Sequence, residues 1–218
     1  LPQPTSVFTL ADFESCVFPV STPAQNFSIG GLVYDWHIDG NSVSSESQPV
    51  LTFDSVGQHL VELYTTNQYN CNSISSTYFT VHDTPQLDFT FDPPQGCVPL
   101  IVNYTNNSTN TDDYFWYFEP NVLDQSTNPT HIYNDPGDYD ITLIGANDEG
   151  CSDTLNLLDA VHVYPYPTPQ IQYQPTEPNI FEPQVFLQDI GGGATNWYWS
   201  LGDGIVSYDP FVEHTYET

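Results

Sequence analysis

Asn134-Asp135-Pro136-Gly137-Asp138-Tyr139-Asp140-Ile141-Thr142-Leu143, running on to Glu149-Gly150-Cys151, is the stretch on which the fold turns. A Pro-Gly turn leads into strict alternation of Tyr139, Ile141 and Leu143, the period-2 signature of a half-buried strand. The same pattern lies 80 residues earlier, where Gly57 precedes His59, Val61 and Leu63 and the segment again closes on a cysteine, Cys71. Working outward, Trp36 recurs as Trp116 and Cys16 as Cys97, so four landmarks share a period of 80 or 81 residues. A third copy follows at a slightly longer spacing: Pro85-Gln86 returns as Pro169-Gln170, Trp116 as Trp199, His131 as His214 and Tyr133 as Tyr216. Pro4, Phe8 and Leu10 match Pro85, Phe89 and Phe91, which puts residue 1 near the start of a repeat. The chain therefore divides at 1–84, 85–168 and 169–218, the last copy incomplete.

Only strands are legible inside a repeat. In the second, Phe89 and Phe91 begin one, Leu100, Val102 and Tyr104 form another, and Tyr114, Trp116 and Phe118 alternate inward in a third. Tyr139 to Gly145 and Val161 with Val163 supply the rest, separated by turns rich in Asn, Asp, Thr, Pro and Gly. With 19 Pro, 13 Gly and no 3.6-residue periodicity, the expected class is all-β, a tandem array of immunoglobulin-like antiparallel β-sandwiches. Tyr164-Pro165-Tyr166-Pro167-Thr168-Pro169 reads as a semi-rigid spacer between copies.

Charge excludes several functions. The 218 residues hold no Lys or Arg and 28 Asp plus Glu, a formal net charge of −28. Such a chain has nothing to neutralise phosphates, which argues against nucleic acid and against anionic membrane surfaces. It has no Lys for Schiff-base chemistry and no Arg to clamp a phosphoryl group. Trypsin-like proteases find no bond to cut. No run of 18 apolar residues exists, so no membrane insertion by a helix is expected.

The chemistry-bearing residues form no catalytic constellation. No G-x-S-x-G is present, and His37, His59, His82, His131, His162 and His214 show neither H-E-x-x-H nor any close ligand spacing. His131 and His214 share a repeat position, which suits a recurring packing or hydrogen-bonding role. Trp36, Trp116 and Trp199 are expected in the core, with Trp197 and Tyr198 as candidates for an exposed aromatic patch. No cofactor is expected. Asp112-Asp113, Asp138 with Asp140, and Asp148-Glu149 sit in or beside turns and are the candidate oxygen ligands for Ca²⁺, although none forms an EF-hand loop. The chain is not expected to be an enzyme.

These residues resemble the PKD domain family, whose pattern runs Trp-x-Phe-Gly-Asp-Gly, then Pro-x-His-x-Tyr, Pro-Gly-x-Tyr-x-Val-x-Leu and Asn-x-x-Gly-Cys. The third copy carries Trp199-Ser200-Leu201-Gly202-Asp203-Gly204, and the second carries Pro129-Thr130-His131-Ile132-Tyr133 and Asn147-Asp148-Glu149-Gly150-Cys151. The first departs from it, with Leu51 and Phe53 in place of the His and Tyr, and Glu119-Pro120 replaces the Gly-Asp turn in the second. Gly96-Cys97-Val98-Pro99-Leu100 is similar to a variant in PKD repeats of very large surface proteins of gliding Bacteroidota, exported by the type IX system and including gliding-motility adhesins. That resemblance implies an extracellular, cell-surface stalk or adhesive segment. Its partners would be other domains of the same long chain, the secretion or anchoring machinery, and extracellular polysaccharide or protein. An accessory module of a secreted hydrolase is the alternative. Asp54-Ser55-Val56 and Asp153-Thr154-Leu155 resemble the O-glycosylation acceptor of that group, at Ser55 and Thr154.

Cys16, Cys71, Cys97 and Cys151 contain no C-x-x-C pair, so disulfides are expected rather than a zinc site. The expected pairs are Cys16–Cys71 and Cys97–Cys151, each inside one repeat, closing loops of about 55 residues and contributing roughly 4 kcal/mol apiece. The third repeat stops just after Tyr216, so its sandwich is expected to lack at least two strands, leaving Val185, Leu187, Trp199 and Leu201 short of cover, and the natural chain is expected to continue past Thr218.

Overall fold

The computed structural model describes residues 3–177, 179, 181 and 183–217; Leu1 and Thr218, the outer limits of the expected first and third repeats, lie outside them. Every regular element among the described residues is a strand. Residues 8–81 form β1 (Phe8–Leu10), β2 (Glu14–Ser15), β3 (Val20–Asn26), β4 (Val33–Ile38), β5 (Asn41–Ser44), β6 (Val50–Phe53), β7 (Gly57–Thr66) and β8 (Asn72–Val81). Residues 89–164 repeat this series as β9 (Phe89–Asp92), β10 (Gln95–Cys97), β11 (Leu100–Asn106), β12 (Asp113–Glu119), β13 (Val122–Asp124), β14 (Thr130–Tyr133), β15 (Gly137–Ala146) and β16 (Ser152–Tyr164). Then come β17 (Ile171–Gln174), β18 (Gln184–Asp189), β19 (Trp199–Ser200), β20 (Val206–Ser207) and β21 (Phe211–Thr215).

Sheet order carries the repetition into three dimensions. The first series forms β1-β3-β6 and β2-β8-β7-β4-β5; the second forms β9-β11-β14 and β10-β16-β15-β12-β13, strand for strand the same. The third gives β17-β18-β21, matching the three-stranded sheet, and β19-β20, matching β4-β5. By compactness the chain separates differently, into one unit of Leu1–Phe91, Tyr104–Pro129 and Asp140–Leu158 and another of Asp92–Asn103, Thr130–Tyr139 and Asp159–Thr218. The boundaries 1–84, 85–168 and 169–218 are therefore a proposal that rests on the period.

Alternation on β7 builds the first core. Val61, Leu63 and Thr65 are fully buried and His59 nearly so, while Leu60, Glu62 and Tyr64 between them are not. They pack with Leu10, Ala24, Trp36, Leu51, Phe53, Phe79 and Val81. Leu51 and Phe53, which replace the His and Tyr of the motif, are apolar and take core positions on β6. Trp36 lies opposite Leu63 across β4 and β7, as Trp116 lies opposite Leu143 across β12 and β15. Each indole meets an edge-on phenylalanine at 5.0 Å, Phe8 in one case and Phe89 in the other. Trp36 and Trp116 are both fully buried, as expected for the core.

The expected all-β class of immunoglobulin-like sandwiches built from antiparallel sheets is what forms, with one short parallel pairing at an edge of each larger sheet. β2 runs parallel to β8, with Glu14 opposite Thr80 and Ser15 opposite Val81, and β10 runs parallel to β16, with Gly96 opposite Val163 and Cys97 opposite Tyr164. Two- and three-residue edge strands carry too few residues for a periodicity to reveal them. In residues 169–217 the cover is thinner. Val185, Leu201 and Val212 are buried, but Leu187 and Trp199 are only half-buried and Tyr198 is exposed.

Candidate functional site

Long hairpins end in the two cysteine-bearing turns, and the turns are alike. Between β15 and β16, Asn147 N–H donates to the Cys151 carbonyl at 2.9 Å, Cys151 N–H donates to Asn147 Oδ1 at 2.9 Å, and Gly150 N–H donates to the Asn147 carbonyl at 3.0 Å. Between β7 and β8, Asn67, Asn70 and Cys71 make the same three bonds at 3.0, 3.1 and 3.1 Å. The residue before each cysteine has positive φ, +62° at Asn70 and +81° at Gly150, a conformation that Asn and Gly adopt at low cost. Asn147 Nδ2 also donates to the Asp83 carbonyl at 3.0 Å, as does Asn110 Nδ2. The second hairpin turn is thus tied to the segment that leads out of β8.

At this place the structure corrects the expected disulfides. Cys16 is bonded to Cys151, 135 residues away, and Cys71 and Cys97 are free thiols. The reason is the length of the hairpin. Ser15 accepts a bond from His82 N–H beyond the end of β8, whereas Cys71 precedes its first residue, so Cys16 and Cys71 lie at opposite ends of a ten-residue strand, about 30 Å apart. A disulfide needs Cα atoms within roughly 7 Å. Cys97 likewise stands level with Tyr164, the last residue of the 13-residue β16, and Cys151 precedes the first. The second turn reaches the edge of the first sandwich instead.

Histidine–carboxylate pairs mark the sheet ends. His59 Nδ1 lies 2.7 Å from Asp39 Oδ2 and Nε2 lies 2.9 Å from the Ser55 carbonyl; His37 lies 2.9 Å from Asp35 Oδ2 and 3.3 Å from the Gly40 carbonyl. Both nitrogens of each ring face acceptors, which suits the imidazolium. Burial opposes charge on His59, but the bonds to Asp39 and Ser55 outweigh it and hold the ring above its ordinary pKa. The Asp35 carboxylate does the same for His37. Asp39 is held below the usual carboxylate range by the bond from His59, and Asp35 by the Ser42 hydroxyl and then by His37. Raised histidines contribute stability that is complete below about pH 6.5 and lost as pH rises through their folded pKa; lowered aspartates contribute stability that is lost as pH falls below about 4. We expect thermal stability to fall as pH rises above about 6.5 and again as it drops below about 4, and Asp39→Asn to flatten the alkaline slope in a melting series. An unchanged slope in the variant would remove the pair from this account.

The remaining histidines make ring contacts and carboxylate pairs. His131 and His214 each meet the tyrosine two residues on, edge to face at 4.6 Å, so their shared position carries a shared contact. His82 pairs with Glu14, His162 with Asp138 and His214 with Asp203. Asp112 accepts a bond from Asp148 N–H. No group of three His, Cys, Asp or Glu placed to hold a metal ion occurs among the described residues, and no helix there is long and apolar enough to cross a membrane. Ser55 and Thr154 are both exposed.

Trp197, Tyr198 and Trp199 line a cavity of about 260 Å³ with Pro167, Pro169 and Ile171. Asp189 stands in its wall, held below the usual carboxylate range by bonds from Gln170 N–H, Gly191 N–H and the Trp197 indole. Trp199 donates to the carbonyl ten residues on, as Trp36 and Trp116 do, so it keeps the core tryptophan's bond while remaining half-exposed.

Among solved structures, the chain is similar to the fibronectin(III)-like modules of Clostridium thermocellum CbhA, at 13% identity over 72% of this chain and 95% of that one, with a TM-score of 0.39. It is similar to Sidekick-1 immunoglobulin domains 1–5 at 10% identity, over 95% of this chain and 50% of that one, TM-score 0.41. A Ca²⁺-stabilised ice-binding adhesin of an Antarctic bacterium matches at 7% identity over 88% of this chain, TM-score 0.38, and here the chain spans 58% of the other's length. Residues 83–163 match the family model of the PKD domain. With the strand order of β9 to β16 described above, that match supports a PKD-type domain in this part of the chain, within the immunoglobulin-like β-sandwich class.

Proposed function

We propose that the chain is a structural and adhesive repeat segment of a large secreted cell-surface protein, of the kind that includes gliding-motility adhesins exported by the type IX system. The observation that carries this reading is the Cys16–Cys151 bond, which joins one series of strands covalently to the next. A bond of that kind keeps neighbouring domains together under load, and disulfides persist in oxidising, extracellular surroundings. The absence of every Lys and Arg supports the same setting, since it removes all trypsin sites and leaves an acidic surface that repels its neighbours. Antibody raised against the chain should label intact, unpermeabilised cells of the source organism and detect a very large polypeptide in the surface fraction. Label appearing only after permeabilisation, or only on a secreted polypeptide with hydrolase activity, would overturn the proposal.

The aromatic cavity favours a second reading, an accessory module that grips polysaccharide for a secreted hydrolase. Tyr198 is 66% exposed beside Trp197, and such faces stack on sugar rings. Tryptophan fluorescence titrated with soluble oligosaccharides separates the two: saturable quenching that Tyr198→Ala abolishes supports the module.

A further inference from the structure

We infer that Cys97 and Cys71 are the two unjoined halves of a staple that recurs along an array of such repeats. Each bonds to another repeat of the same kind, Cys97 to the hairpin-turn cysteine of the one that follows and Cys71 to the edge-strand cysteine of the one before. The rule concerns how repeats are joined and holds whatever the array adheres to.

The four cysteines occupy two kinds of position, each present once in either series of strands. Cys16 follows β2 and Cys97 ends β10, and each of these strands lies parallel to the end of the last long strand of its sandwich. Ser15 accepts from His82 N–H at 2.8 Å in the first, and Tyr164 accepts from Val98 N–H at 3.0 Å in the second, so the edge segment is fastened at the same level in both. Cys71 and Cys151 occupy the same turn, with the same three bonds to an asparagine. One member of each equivalent pair is used in the observed bond: the edge cysteine of the first series with the turn cysteine of the second. Applied one step further along the chain, the same bond takes Cys97 to the turn of a following repeat. Applied one step back, it takes Cys71 to the edge of a preceding one. Residues 169–218 carry no cysteine.

The surroundings of Cys97 have room for that turn. The thiol is exposed and borders a cleft of about 550 Å³ whose other walls are Tyr164, Pro165 and Pro167 on one side and Gly193 to Asn196 on the other. At the junction that is closed, the Cys151 turn is held by its asparagine to the segment leading out of β8, and the cysteine beside it is 1% exposed. The Cys71 turn has the same hydrogen-bonded shape, and its thiol remains partly exposed. Each new bond consumes two thiols, which lose two protons and two electrons to an oxidant of the disulfide class; the S–S bond of that oxidant breaks and leaves as two thiols.

The test is a disulfide map of the protein isolated from its source cells, alkylated without reductant and cut at acid pH with pepsin, trypsin having no sites. The inference expects Cys97 joined to a turn peptide and Cys71 joined to an edge-strand peptide, both from repeats other than residues 1–168. Recovery of either cysteine as an alkylated thiol, or of a Cys71–Cys97 pair, would overturn it. Cys97→Ser in the same protein should expose one new alkylatable thiol per chain, located in a hairpin turn of another repeat. No new thiol, or one elsewhere, would contradict the rule even if the wild-type map were incomplete.

Discussion

Pulled from its two ends with the disulfide intact, the chain should extend roughly 450–490 Å less than after reduction, because the bond between Cys16 and Cys151 takes the load past a loop of 135 residues. The difference follows from covalent connectivity alone. Once Cys16 and Cys151 are joined, the strands between them can unfold but cannot be drawn out. Pairs inside each repeat would instead hide two loops of about 55 residues, roughly 360–400 Å in all, and force spectroscopy resolves the two cases. The bond also constrains the unfolded chain. For a loop of this size the chain-entropy model gives about 5 kcal/mol, and Cys16→Ser with Cys151→Ser should lower stability by up to that amount. A double variant as stable as the native chain, with unchanged extension, would show that the junction is not closed in solution.

The second large effect concerns the core tryptophans. Trp116 is fully buried, touches Phe89, Tyr104 and Phe118, and donates its indole N–H to the Ser126 carbonyl at 3.0 Å. Trp116→Ala removes that packing, leaves a cavity and strips the carbonyl of its donor, so it should cost about 3–5 kcal/mol. Trp116→Phe keeps most of the apolar contact and should lose less, on the order of 1–3 kcal/mol. Trp199→Ala, at a half-exposed position, should cost less than Trp116→Ala. Denaturant midpoints of the three variants give the ranking directly. If Trp199→Ala were the most damaging, burial would not be what sets the cost of removing the tryptophan at this repeat position.

Much of this fold could be read from the residues because a period of 80 is redundant. Trp36 and Trp116, Val61 with Leu63 and Ile141 with Leu143 each report the same inward face twice, and all six are fully buried. The disulfides could not be read that way. A period shows which cysteines are equivalent, Cys16 with Cys97 and Cys71 with Cys151, and it is silent on whether the bond closes within a copy or between copies. That choice depends on the ten residues of β8, which carry the turn cysteine about 30 Å from the edge cysteine of its own repeat. A count of residues from Cys71 to the last apolar position, Val81, was the available signal. The edge strands were also hidden, since β2 has two residues and takes its partners from 66 residues further on, Glu14 from Thr80 and Ser15 from Val81. The paired acceptors around His59 come from Asp39 and Ser55, on separate turns, and no spacing rule brings them together.

The junction between the first and second series of strands is closed by the Cys16–Cys151 bond. Peptic digestion of the oxidised 218-residue chain, followed by mass spectrometry before and after reduction, reads that junction without further assumptions. The expected result is a single linked pair holding Cys16 and Cys151, with Cys71 and Cys97 alkylated. Linked pairs of Cys16 with Cys71 and of Cys97 with Cys151 would contradict it and return each bond to its own repeat.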